Sequence, residues 1–224
     1  MALVAAFTLP KIITTIPSLS LLIRCGPFSA NRGPLHRGRI LSTESIHVIQ
    51  SLKRLRPSPL SPLPKSITRL IKSDLVAAVK ELLRQRLPLL ALRLFSHLRS
   101  DPTYLSPDLS LYADLILALN KEELRDEIDA LVVELKMECE GRGIECGEGS
   151  GMTRLIRAVI GAGRLDGLVR VWGIMKRSGW GEVERGRRKG REVDAYVGKV
   201  LSRGLRSLGE VEVAEEIEMV LERF

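Results

Sequence analysis

Acidic residues are all but missing from the first third of the chain. Residues 1–73 hold one, Glu44, against eleven Lys or Arg, whereas the remainder holds 24 basic and 26 acidic residues. The overall charge of +8 is therefore a property of the amino-terminal segment, which alone carries +10, and it describes the folded part poorly. Aromatic residues make up only 4% of the chain, and alternating β-branched runs do not occur, which excludes a sheet protein. No proline follows Pro107, so helices beyond that point run without a break of that kind. Cys25, Cys139 and Cys146 are too few for a disulfide framework, and His36, His47 and His97 are too remote from them in sequence to complete a zinc site. No run approaches eighteen apolar residues, which argues against membrane insertion. Dinucleotide fingerprints, Walker-type loops and nucleophile–base pairs are also missing. An enzyme is not expected, nor any cofactor.

What the amino-terminal segment does contain is Ser, Thr, Pro and Arg. The start "MALVAAFTLPKIITTIPSLSLLIRCG" is expected to be a plastid transit peptide over residues 1–25, with a mitochondrial address as the alternative. Prolines in "RLRPSPLSPLPKS" (54–66) mark residues 26–65 as a disordered linker. From residue 66 the apolar residues recur three and four apart. They predict eight helices in four pairs: 66–86 with 88–99, 109–119 with 122–139, 151–161 with 165–177, and 192–207 with 210–223. Each second helix repeats one pattern, Ala91–Phe95–Leu98, Ile128–Val132–Leu135 and Leu168–Trp172–Met175, which fails only at the middle of Ala214–Glu218–Leu221. The fold class is all-α, a short α-solenoid of four helix-turn-helix pairs over 66–224.

The third unit, "TRLIRAVIGAGRLDGLVRVWGIMKRSG" (153–179), resembles the pentatricopeptide repeat: "AGRLD" (162–166) coincides with that family's consensus, as do Leu155, Ile156, Met175, Lys176 and Gly179. "PDLSLYADLILAL" (107–119) resembles the repeat's opening, and Tyr196 keeps its tyrosine. Few repeats behind a plastid-like leader resemble the short plant proteins of the Thylakoid Assembly Eight type. That resemblance implies RNA binding and help with group II intron splicing in the chloroplast stroma. It also implies that the first helices line a face for single-stranded or structured RNA, each reading a base through its fifth residue. Those positions fall on Val76, Ala113, Thr153 and Val197, and only Thr153 has a hydroxyl for a base edge.

Affinity is then expected from cations. Lys80, Arg84, Arg154 and Arg157 lie on first helices. The stretch "KRSGWGEVERGRRKGR" (176–191) adds Lys176, Arg177, Arg185, Arg187, Arg188, Lys189 and Arg191, with Trp180 as a stacking plate or, alternatively, a packing or partner residue. Trp172 falls at a core position. The acidic stretch 121–148 offers a surface for a second copy, so a homodimer or RNA-induced oligomer and other splicing factors are further expected partners. The rival reading is a tetratricopeptide-like scaffold whose concave face grips a peptide and makes no RNA contact.

Overall fold

A computed structural model describes residues 41–54, 63–101, 104, 106–142, 149–180 and 194–223. The expected transit peptide lies outside these residues, as do Arg185, Arg187, Arg188, Lys189 and Arg191. Among the described residues the secondary structure is helical throughout: α1 Thr43–Arg54, α2 Lys72–Arg84, α3 Pro88–Arg99, α4 Leu109–Lys121, α5 Arg125–Arg142, α6 Gly149–Gly161, α7 Leu165–Arg177, α8 Ala195–Ser207 and α9 Val211–Glu222, with a 3-10 turn at Lys65–Arg69. The all-α expectation and its four pairs hold.

Two boundaries differ from the sequence reading. The segment expected as a disordered linker contains α1, started by Ser42, whose Oγ accepts from the Ser45 amide at 3.1 Å. Val48, Ile49 and Leu52 of α1 are buried and the helix packs on α2, closing the open side of the first repeat. The four prolines after residue 56 mask this amphipathic spacing. The helix expected from residue 66 starts instead at Lys72. The 3-10 turn buries Ile67, and the extended Leu70 (ψ 134°) that follows it is buried too and breaks the helical path before α2.

The pairs stack in two layers. First helices meet first helices (α2 on α4, α4 on α6, α6 on α8), and α5 meets α7 behind them. The second-helix pattern is the core: Ala91, Phe95, Leu98, Ile128, Val132, Leu135, Leu168, Trp172 and Met175 are all buried. The failing position, Glu218, is turned to polar partners on α8, accepting from Ser202 Oγ at 2.6 Å and Arg206 Nη2 at 2.6 Å. The hydrogen bonds from Arg206 and then Ser202 bring the pKa of its carboxyl down to about 2. Arg99 joins the first two pairs by contacting Glu134 (2.7 Å) and Glu138 (3.4 Å), while the Tyr112 hydroxyl donates to Glu138 at 3.0 Å.

Every pair turns in the same way. Arg86, Glu123, Gly163 and Gly209 all have positive φ (57°, 57°, 65° and 95°). The next residue's amide returns to a buried residue's carbonyl in each case: Leu87 to Leu82, Leu124 to Leu119, Arg164 to Val159 and Glu210 to Leu205. This is one helix-ending motif used at the turn of all four pairs. Two of its left-handed positions carry side chains that disfavour the conformation. Glu123→Gly is therefore expected to stabilise the fold by about 0.5 kcal/mol, the relief of strain exceeding the entropy of an added glycine. Gly163→Ala is expected to destabilise it by about 1 kcal/mol. Thermal melts of the two variants should move in opposite directions.

Candidate nucleic-acid interface

The repeated turn fixes the repeat register. Counting from it, Val76, Ala113, Thr153 and Lys199 are equivalent, each ten residues before a positive-φ residue. The capping aspartates mark where the first helices begin. Asp108 Oδ1 accepts from Ser110 and Leu111 amides at the start of α4, and Asp194 Oδ1 accepts from Tyr196 and Val197 amides at the start of α8. Counted from the turn, the fourth fifth-position is Lys199, not Val197, which is buried. The same register makes Gly198 the equivalent of Tyr112, and Tyr196 the equivalent of Ser110 and Ser150. Tyr196 accordingly faces out, 54% exposed, on the first-helix layer.

Between α6 and α8 that layer opens into a groove of about 440 Å³ lined by Ser150, Thr153, Arg154, Arg157, Asp194 and Tyr196. Thr153 forms part of its wall but is only 9% exposed. Arg154 is held by Asp114 of α4 across the helix junction. Arg157 donates to the Tyr196 hydroxyl, and its guanidinium lies 5.7 Å from that ring's centroid. Two fork-shaped donors thus flank an exposed aromatic face, an arrangement suited to phosphate and unstacked base together. Lys80 is exposed on α2. Arg84 is tied to Glu81 on its own helix, Nε to Oε2 at 2.8 Å.

Lys176, Arg177 and Trp180 do not join this face. Lys176 reaches Glu216 of α9 at 3.1 Å and lies 5.3 Å from the Trp172 ring centroid, and Arg177 reaches Glu140 of α5 at 3.0 Å. Both belong to the second-helix layer. Burial pushes the Glu216 carboxyl up, but hydrogen bonds from Trp172 Nε1 (3.0 Å) and Lys176, with the lysine's charge, bring it below its ordinary value.

Trp180 is not a free stacking plate. Gly179, at φ 79°, ends α7 and turns the chain, and the Trp180 amide donates to the Met175 carbonyl at 3.1 Å. The indole then packs edge-on to Trp172, with centroids 5.4 Å apart. A Cβ placed on Gly198 would lie 2.9 Å from the Trp180 ring. Leu75, Tyr112 and Met152 stand at the equivalent place in the other repeats, so the tryptophan substitutes for a side chain that α8 lacks.

Charge is divided between the layers. α2, α4, α6 and α8 carry +1, 0, +2 and +3, together +6, whereas α3, α5, α7 and α9 carry +2, −3, +2 and −5, together −4. Among the described residues no cluster of His, Cys, Asp and Glu is arranged to hold a metal, and no helix is long and apolar enough to cross a membrane.

Comparison with known proteins decides the family. Over 200 residues the chain is 44% identical to Protein THYLAKOID ASSEMBLY 8, chloroplastic, of Arabidopsis thaliana, a match spanning 88% of this chain and 83% of that one. The chain belongs to the Thylakoid Assembly 8 family. A crystal structure of THA8 in complex with Zm4 RNA has the same fold, with a TM-score of 0.61 and 34% identity over 82% of this chain and 96% of that one. Pentatricopeptide repeat-containing protein At1g62350 of Arabidopsis thaliana is 30% identical over 101 residues, 44% of this chain and 51% of that protein. No protein-family model matches the chain. The chloroplast location expected from the amino-terminal composition is that of the Thylakoid Assembly 8 relative.

Proposed function

We propose that this protein binds single-stranded RNA on its first-helix face in the chloroplast and holds group II intron segments in a shape competent for splicing. The observation that carries the reading is the segregation of +6 onto one layer and −4 onto the other. A polyanion is attracted by the first surface and repelled by the second. The relative solved with Zm4 RNA supports the same partner class. Arg154, Arg157, Lys80, Lys199 and Arg203 supply phosphate contacts, Tyr196 stacks a base, and the chemistry of splicing stays with the intron. Thr153, largely buried, contributes at most the edge of one base. Reading this few positions does not single out a transcript, so a second copy or other splicing factors complete the specificity.

The test is a titration of the full chain with labelled single-stranded intron RNA across a salt series. Five phosphate contacts at about 0.7 each give a slope of about −3.5 in log K against log salt. A flat salt response, or unchanged intron retention in chloroplast RNA from plants lacking the protein, would count against the reading. The first outcome removes phosphate binding; the second removes the splicing role while leaving RNA binding in place.

A further inference from the structure

Six residues before the positive-φ residue that joins the two helices of each pair stand Lys80, Leu117, Arg157 and Arg203. All four are exposed. Four residues before the same turn stand Leu82, Leu119, Val159 and Leu205, all fully buried. Residues two apart on a helix point about 200° apart, so the first row faces away from the second helices wherever the second row faces toward them. Arg157 of this row lines the groove, which fixes the row on the groove side of the layer. The row therefore crosses the surface at one residue per repeat. Packed helices lie about 8–10 Å apart, a spacing a single strand with splayed bases can follow.

We propose that this row is the track of the RNA backbone, with Lys80, Arg157 and Arg203 each holding a phosphate and Leu117 a gap in it. The inference rests on the RNA-binding reading and deepens it. Leu117 is 39% exposed at a place where every equivalent residue is a cation. The strand is held at α6 and α8, beside Tyr196, and again at α2, but passes over α4 without an ionic contact. Asp114, one helical turn before Leu117, is an acid, so the cation nearest this flank is Arg154 of α6, which pairs with it, and α4 itself supplies none there.

The experiment fills the gap. Leu117→Arg in the full chain is compared with Met137→Arg, which adds the same charge at a 65% exposed position on α5 in the second layer. Both are titrated with the labelled single-stranded RNA across salt, alongside Arg203→Gln. Leu117→Arg is expected to tighten binding about three- to tenfold and to steepen the salt slope by about 0.7, Arg203→Gln to do the reverse, and Met137→Arg to do neither. If the unmodified chain binds RNA but Leu117→Arg binds no better, or Met137→Arg gains as much, the track is wrong and RNA binding stands. If the unmodified chain binds no RNA at any salt, both the track and the reading beneath it fall. Circular dichroism of each variant checks folding, and the opposed signs expected for Leu117→Arg and Arg203→Gln keep the test decisive if one variant is unstable.

Discussion

Trp180→Ala is expected to lower the stability of the protein by about 2–3 kcal/mol, less than the roughly 3–5 kcal/mol of a fully buried tryptophan because the residue is half-buried. In a domain of this size the melting temperature should fall by about 5–10 °C. The ring fills the space over Gly198 and meets Trp172 edge-on, so its removal leaves a void and loses an aromatic contact. The RNA affinity of the folded variant should equal that of the parent. A rescue is available: Gly198→Met, introduced into Trp180→Ala, puts at that place the side chain that Met152 supplies in the preceding repeat, and should recover part of the loss. An RNA affinity that drops while the melting temperature holds would restore Trp180 as a stacking plate.

Reversing the charge of both groove arginines, Arg154→Glu with Arg157→Glu, is expected to weaken RNA binding about 100-fold at roughly 0.1 M salt. The salt slope should become shallower by about 1.4, two single-strand phosphate contacts' worth. Stability should change by less than about 1 kcal/mol, because the Arg154–Asp114 pair is largely solvent-exposed and such pairs contribute little. The pairing does matter for geometry, since it holds one guanidinium beside the groove before any ligand arrives. Anisotropy titrations would expose the alternative: unchanged affinity and slope would move the binding surface off the α6–α8 groove.

The fold is legible because it is written in apolar spacing. Phe95, Val132 and Trp172 recur in a pattern that fixes the second helices, and "AGRLD" marks the turn of the third pair. What escapes reading lies where composition and periodicity disagree. α1 has Val48, Ile49 and Leu52 at helical spacing, but the prolines that follow it dominate the composition of its neighbourhood. Matching Tyr196 to Tyr112 shifts the fourth repeat by two residues, whereas a count back from Gly209 places Gly198 there. That shift conceals Lys199 and Arg203 and leaves Tyr196 looking structural. Local charge alone points Trp180 and Lys176 toward RNA. Their actual partners, Trp172 and Glu216, lie eight and forty residues away and are brought near only by helix termination and stacking.

The unequal charging of the two helix layers also gives the described helices a dipole directed from one layer to the other. A dipolar body approaching a polyanion experiences a torque before it experiences contact, and rotates so that α6 and α8 lead. Productive encounters then take a larger share of collisions, and the association rate rises at low ionic strength while the lifetime of the complex, set by short-range contacts, changes less. With RNA bound on the proposed first-helix face, the five glutamates of α9, which sit in the layer opposite the groove, would thereby contribute to how fast RNA is captured without touching it.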